Sequence, residues 1–68
     1  MAYCFRAFSY LNIGEYLNAI EDYSIAIKLD PTYDELYSNR SYCYHMIGEE
    51  EKSLNDYEMA KELFKNNY

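Results

Sequence analysis

The chain has few of the residues from which catalytic and metal-binding sites are usually built. Its 68 residues include one histidine, two cysteines, two glycines and no tryptophan. His45 and Cys43 lie two positions apart, so on a helix their side chains point about 200° apart and cannot share a metal ion or form a nucleophile pair. Two glycines are too few for a phosphate-binding loop. We therefore expect no catalytic residue, no metal and no cofactor.

Basic residues and long apolar runs are also scarce. Six Lys and Arg stand against twelve Asp and Glu, which gives a formal net charge of −6. Phosphate backbones require a basic face, so no nucleic-acid partner is expected. Runs without charge reach about eight residues, against about 20 for a membrane span, so no membrane partner is expected either. The first residues, MAYCFRAFSY, lack the basic and apolar regions of a signal peptide.

The small number of cysteines bears on the compartment. A secreted fold of this length usually carries several disulfides, and Cys4 with Cys43 does not supply such a framework. We interpret both as free thiols and expect a reducing, cytoplasmic location. The length supports one small domain at most, residues 1–68. Half of the residues are hydrophobic and ten are tyrosines, which is too apolar for a disordered chain.

Apolar residues recur with the period of an α-helix in four stretches, at 3–12, 16–29, 36–47 and 52–65. Gly14 and Gly48 suit the left-handed position that follows a helix. Asp30-Pro31 ends the second stretch, because the residue before proline avoids the α region. Thr32 with Glu35 predicts a capping box at the start of the third stretch. The short connections make neighbouring helices antiparallel, so the fold class is all-α.

The chain also repeats itself at an offset of 34 residues. Ten pairs are identical at this offset: Tyr3/Tyr37, Arg6/Arg40, Tyr10/Tyr44, Ile13/Ile47, Gly14/Gly48, Glu15/Glu49, Asp22/Asp56, Tyr23/Tyr57, Ala26/Ala60 and Leu29/Leu63. Conservative pairs include Ala7/Ser41 and Ala19/Ser53. A 34-residue unit built from two helices resembles the tetratricopeptide repeat family.

The resemblance covers nearly the whole chain. The family's alternation of large and small residues is matched in the first copy by Tyr3, Ala7, Tyr10, Gly14, Tyr16, Ala19, Tyr23, Ala26 and Pro31. It implies two stacked helix-turn-helix hairpins of four antiparallel helices, a fragment of an α-solenoid. Repeat one spans about residues 1–31 and repeat two about 32–65. Because members usually carry three or more repeats, we expect either a fragment of a longer array or a homo-oligomer formed through uncapped repeat ends.

The resemblance also implies a partner. In this family the first helix of each pair lines a concave groove that holds an extended peptide or a partner's helix. By position, the groove residues are Cys4, Phe5, Phe8 and Asn12 in repeat one, and Glu35, Ser38, Asn39, Tyr42, His45 and Met46 in repeat two. Phe5, Phe8 and Tyr42 lie off the packing stripe, which independently predicts their exposure. Phe8 and Tyr42 have a structural alternative, packing along the groove floor.

Some members clamp the C-terminal carboxylate of chaperone peptides through Lys and Asn in one helix and Asn in the next. Asn39 matches the second asparagine, whereas Cys4 and Phe8 stand where the clamp has Lys and Asn. The implied clamp is therefore incomplete. Arg6 and Arg40 sit one position away from the clamp and are expected at the edge of the packing.

The leading hypothesis is a non-catalytic protein–protein interaction module that binds a peptide or helix in the groove. Three alternatives stay open. The chain is a self-associating scaffold element, an incomplete co-chaperone-type carboxylate-clamp domain, or an accessory domain beside an enzyme elsewhere in a longer protein. The carboxylates carry no expected chemistry, and Glu21 with Asp22 is expected in solvent.

Overall fold

The computed structural model describes residues 2–67, and the side chains of residues 2–66. The described residues form four helices: α1 (Ala2–Asn12), α2 (Tyr16–Leu29), α3 (Asp34–Met46) and α4 (Glu50–Asn67). The bounds of α2 agree with the prediction. Both α3 and α4 begin two residues earlier than predicted, because acidic residues occupy their first turns, where the helix dipole favours negative charge.

The two glycine turns have the same geometry. Gly14 and Gly48 have positive φ angles of 81° and 83°, which side chains with a Cβ rarely adopt. The Glu15 amide donates to the Tyr10 carbonyl at 2.9 Å, and the Gly14 amide donates to the Leu11 carbonyl at 3.1 Å. The equivalent pair of bonds recurs after α3 at the same lengths. Each turn is therefore a Schellman motif that reverses the chain within one hairpin.

The connection between the hairpins differs from the predicted capping box. The N-cap of α3 is Tyr33, and its side chain makes no capping hydrogen bond. The hydroxyl and amide of Thr32 instead donate to Asp30 Oδ1, at 2.8 and 3.3 Å. The prediction that Thr32 caps α3 was therefore wrong. Asp30 accepts hydrogen bonds from both groups of Thr32 and forms a local turn around Pro31.

Small residues form much of the core. The buried hydrophobic cluster consists of Ala7, Ala19, Tyr23, Ala26, Leu36 and Cys43, each 0 % exposed. Alanines where α1 and α2 pack let the two backbones approach closely, and the Tyr23 ring fills the space beside them. The core is therefore built around the second helix of the first hairpin.

The helices pack in chain order as two stacked hairpins. α1 packs on α2 and α3 on α4, while α2 packs on α3 and joins the hairpins; α1 also touches α3. This arrangement confirms the predicted all-α fold class. The repeat bounds at about 1–31 and 32–65 stay a prediction.

The second hairpin replaces alanines of the first with a pair of serines. The Ser41 hydroxyl donates to the Ser53 carbonyl at 2.8 Å, and the Ser53 hydroxyl donates to the Ser41 carbonyl at 2.9 Å. Ser41 and Ser53 stand 34 residues after Ala7 and Ala19. Both hairpins thus keep small side chains at this contact, and only the second adds hydrogen bonds across it.

Candidate functional site

A small pocket of about 160 Å³ opens beside the first helices of the two hairpins. Three residues of α1 and three at the start of the second hairpin line it: Cys4, Phe5, Phe8, Tyr33, Glu35 and Asn39. Because α1 and α3 are the first helices of their hairpins, the pocket lies on the face predicted for the groove.

Helical spacing brings these side chains to one place. Cys4 and Phe8 are four residues apart on α1, and Glu35 and Asn39 are four apart on α3, so each pair shares a helix face. Phe5 is 74 % exposed and Phe8 is 50 % exposed. Phe5 and Phe8 therefore stand largely in solvent beside the pocket rather than in the core.

Sequence reasoning missed Tyr33 as a pocket residue. It precedes α3 by one position, and its hydroxyl donates to Glu35 Oε2 at 2.9 Å. This bond fixes the tyrosine beside the carboxylate at the pocket. A signal was available, since an aromatic residue just before a helix whose first turn faces a groove is well placed to line that groove.

The Tyr23 hydroxyl is a buried polar group near the pocket. The residue is 0 % exposed, and its hydroxyl has no hydrogen-bond partner among the residues that the structure describes. The Asn39 side chain lies beside it without meeting the geometry of a hydrogen bond. Burial raises the pKa of Tyr23 to about 12, partly opposed by Asn39. The hydroxyl therefore stays protonated in the core.

The remaining predicted groove residues lie away from the pocket. Asn12 and Met46 are exposed and do not line it. Tyr42 is 47 % exposed, and its ring meets that of Tyr16 edge to face with centroids 6.2 Å apart. His45 Nδ1 lies 2.9 Å from Glu50 Oε1 across the glycine turn. Of the predicted groove residues, the structure thus gathers five at the pocket and places five away from it: Cys4, Phe5, Phe8, Glu35 and Asn39 line it, whereas Asn12, Ser38, Tyr42, His45 and Met46 do not.

Tyr42 also influences its aromatic neighbour. Burial raises the pKa of Tyr16 above its ordinary value, and Tyr42 acts in the same direction. The edge-to-face contact joins the start of α2 to α3. Tyr42 therefore has a packing role at the junction of the hairpins, beside its partly exposed surface.

Two arginine–aspartate pairs each join the two helices of one hairpin. Arg6 donates to both oxygens of Asp22 at 2.7 and 2.9 Å, and Arg40 donates to both oxygens of Asp56 at 2.7 and 2.8 Å. Asp22 is 3 % exposed, so the expectation that it is solvated was wrong. Hydrogen bonds from Arg6 lower the pKa of Asp22 and keep its carboxylate charged. A buried carboxylate at this place is stable only because its partner supplies two bonds.

Reactive groups are few at this face. No cluster of three or more His, Cys, Asp or Glu able to hold a metal ion occurs among residues 2–67. Both cysteines are free thiols. Burial raises the pKa of Cys43 to about 11, which keeps it as an unreactive thiol in the core. The pocket thus offers aromatic surface, an amide and a carboxylate, which suit binding.

The helices are also too short or too polar to cross a membrane. Within the described residues, none combines the length and the apolar character that a membrane span needs.

Comparison with known families matches this geometry. A model described as "TPR repeat" matches residues 9–48, and one described as "Tetratricopeptide repeat" matches residues 41–66. The chain belongs to the tetratricopeptide repeat family. Repeats of this family serve generally as protein-interaction modules.

Two curated relatives cover most of the chain. DnaJ homolog subfamily C member 7 from Mus musculus and from Homo sapiens are each 38 % identical to it over 56 residues, which is 82 % of this chain. The same match spans 11 % of either relative. The chain therefore corresponds to a short part of the relatives it matches.

Proposed function

We propose that the face formed by α1 and α3 binds a peptide or a helix of a partner protein. The observation that carries this proposal is the grouping of Phe5, Phe8 and Asn39 around one pocket. Large aromatic side chains that are half or more exposed in the free protein are good anchors, since a partner buries them at little cost in conformational entropy.

The binding mechanism follows from the kinds of groups present. A partner's apolar side chains pack on Phe5 and Phe8, while the amide of Asn39 donates to and accepts from the partner's backbone. The arginine–aspartate pairs and the glycine turns hold each hairpin, and the packing of α2 on α3 joins the two hairpins, so the face is formed before the partner arrives. Preformed sites lose less free energy to ordering. This role requires no catalytic group.

A peptide array with a matched pair of variants tests the proposal. We expect Phe8→Ala to weaken binding of the selected peptides at least tenfold, because it removes an anchor. Leu17→Ala is the control, since Leu17 is 71 % exposed but does not line the pocket. Circular dichroism establishes that both variants stay helical. Equal losses for the two variants, or unchanged binding by Phe8→Ala, would contradict the proposal.

A second candidate function is self-association through the outer face of α4. Tyr57 is 52 % exposed and Leu54 is 58 % exposed, whereas Tyr23, the counterpart of Tyr57 in the first hairpin, is fully buried against the second hairpin. The face that α3 covers on the first hairpin is therefore open on the second. Another repeat, from the same protein or from a second copy, would bury it.

Sedimentation equilibrium distinguishes this candidate from the first. A self-associating chain shows a mass that rises with concentration, and Tyr57→Glu abolishes the rise by placing a charge in the contact. Phe8→Ala leaves the rise unchanged, because Phe8 belongs to the other face. A mass of one chain at every concentration would exclude self-association of this chain.

The carboxylate-clamp alternative has weaker support. Asn39 is present at the pocket, but Cys4 and Phe8 occupy the wall where the clamp needs a cation and an amide. The relatives that match this chain are DnaJ homologs by name, which keeps a co-chaperone-type role as a proposal. A chaperone tail with a free carboxylate that binds the chain, and loses binding on Asn39→Ala, would support that role.

A reducing, intracellular location is likewise proposed, and microscopy of a fluorescent fusion would test it.

A further inference from the structure

Among the described residues that line the pocket, one is negatively charged and none is positively charged. The charged residue is Glu35. The neighbouring Asp34 adds a second carboxylate in the first turn of α3. Arg6 is the basic residue of α1, and it donates two hydrogen bonds to Asp22 on α2. A ligand in the pocket therefore meets carboxylates rather than ammonium or guanidinium groups.

Glu35 is held in place and keeps acceptor capacity. The Tyr33 hydroxyl donates to Oε2 at 2.9 Å, which joins the carboxylate to another residue that lines the pocket. An ionised carboxylate accepts about four hydrogen bonds, so one bond from Tyr33 leaves room for a ligand's donors. The carboxylate is thus oriented before a ligand binds.

The walls around Glu35 are aromatic. Phe5 and Phe8 come from α1 and Tyr33 from the start of the second hairpin. Aromatic faces attract a cation that lies within about 6 Å of the ring centre, most strongly when the cation is partly removed from water. They also pack against the aliphatic stem of a long basic side chain. Aromatic walls with a carboxylate on one side match a cationic side chain.

The buried hydroxyl of Tyr23 lies next to the same pocket. Its pKa is influenced by four neighbouring groups, three of which line the pocket: Asn39, Cys4, Glu35 and, outside the lining, Cys43. This hydroxyl has no partner within the described part of the chain. The hydroxyl is fully buried and does not line the pocket, so the charged head of a ligand meets Glu35 and Asn39 rather than Tyr23.

We propose that the pocket lined by Phe5, Phe8, Tyr33, Glu35 and Asn39 binds a lysine or arginine side chain of the partner peptide. The aliphatic stem packs on the two phenylalanines, and the charged head donates to Glu35. This inference rests on the proposed peptide-binding function and adds the chemical class of the residue that is recognised. It also makes the pocket unsuited to a carboxylate, since Glu35 would repel one.

The charge of the whole chain acts in the same direction. The net charge of −6 attracts basic segments and raises their rate of association, an effect that salt weakens. This long-range attraction alone does not distinguish one site from another. A test must therefore separate the contribution of Glu35 from that of the net charge.

The test uses four synthetic peptides that differ at one central residue. The central residue is Lys, Arg, Gln or Glu between flanking leucines, and blocked termini remove the end charges. Binding to the 68-residue chain is measured by fluorescence anisotropy. We expect the Lys and Arg peptides to bind about tenfold more tightly than the Gln peptide, and the Glu peptide to bind most weakly.

Two charge-matched variants assign the effect to the pocket. Glu35→Gln is expected to reduce the preference for Lys over Gln from about tenfold to less than about threefold, and Glu62→Gln to preserve it. Glu62 is exposed on α4 and does not line the pocket, so it controls for the loss of one charge.

The outcomes separate this inference from the proposed function. Binding that is lost on Phe8→Ala but is equal for the Lys, Gln and Glu peptides overturns the inference alone. The same holds if Glu35→Gln and Glu62→Gln reduce the preference equally. If no peptide shows binding that depends on Phe8, the proposed function and the inference are both overturned.

Discussion

The Arg40 guanidinium donates to both oxygens of the Asp56 carboxylate, from Nε at 2.7 Å and from Nη2 at 2.8 Å. Arg6 and Asp22 make the same two-bond pair 34 residues earlier. In each pair the arginine lies on the first helix of a hairpin and the aspartate on the second. The pair therefore ties the two helices of each hairpin together. The second pair is better enclosed, since the Arg40 side chain is 19 % exposed and that of Arg6 is 58 % exposed.

Removal of the Asp56 charge is expected to destabilise the fold. Asp56→Asn leaves the enclosed Arg40 guanidinium without its charged acceptor, although Arg40 keeps a bond to Ser24 at 3.0 Å. We expect the free energy of unfolding to fall by about 2 kcal/mol, between the values for exposed and fully buried pairs. Urea denaturation followed by circular dichroism measures the change.

Glu62→Gln removes one exposed carboxylate and is expected to change stability by less than about 0.5 kcal/mol. Equal effects would show that Asp56 acts only through the net charge.

Asp22 is expected to make the stability sensitive to acid. Hydrogen bonds from Arg6 lower the pKa of Asp22, and burial only partly opposes them. A carboxyl group with a lower pKa in the folded state stabilises the fold above its unfolded pKa of about 4, and this stabilisation is lost as the pH falls through the folded pKa. We therefore expect the Tm to decline below about pH 4 in the wild-type chain.

The variant Asp22→Asn isolates this contribution. It removes the titrating group, so its Tm is expected to be lower near neutral pH and to decline less in acid than the Tm of the wild-type chain. Thermal scans by circular dichroism from neutral to acid pH provide the comparison. An acid decline of the same size in both proteins would show that other carboxyl groups cause it.

Much of the fold was predictable because it follows from local patterns. The helix period, the glycine turns and the 34-residue offset gave four helices in two hairpins. The burial of Asp22 was not predicted, because an isolated aspartate on a helix is usually solvated. The identities Arg6/Arg40 and Asp22/Asp56 at one offset contained the missing signal. A charged pair of opposite sign that recurs with the repeat indicates a structural ion pair.

The candidate site was less predictable than the fold. Phe5, Phe8 and Asn39 meet at the pocket because of the way α1 and α3 face each other, and this depends on the tertiary packing of α2 between them. Tyr33 was missed because the groove residues were predicted by position from the first helix of each pair, whereas Tyr33 precedes α3 as its N-cap and still lines the pocket.

The serine pair of the second hairpin is expected to be replaceable by the alanine pair of the first. Ser41→Ala and Ser53→Ala each remove one hydrogen bond to a carbonyl, and each is expected to cost about 1 kcal/mol. The double variant copies Ala7 and Ala19, regains helix propensity and leaves no hydroxyl unpaired, so we expect it to lie within about 1 kcal/mol of the wild-type chain. Urea denaturation of the four proteins forms a double-mutant cycle. If the double variant loses as much free energy of unfolding as the two single variants together, an alanine pair cannot replace the serine pair in the second hairpin.

The buried hydroxyl of Tyr23 is expected to lower the stability of the free protein. It has no hydrogen-bond partner within the described residues, and a buried polar group without a partner costs about 1–3 kcal/mol. Tyr23→Phe keeps the ring that fills the core and removes only the oxygen, so the free energy of unfolding is expected to stay the same or rise by about 1 kcal/mol.

Tyr57→Phe is the matched control, because Tyr57 is the 34-residue counterpart of Tyr23 and is 52 % exposed. Its removal of a solvated hydroxyl is expected to be neutral within about 0.5 kcal/mol. Urea denaturation of both variants decides the question. A stability loss confined to Tyr23→Phe would mean that the hydroxyl is already hydrogen-bonded in solution, in which case Asn39, the adjacent amide, would be its partner.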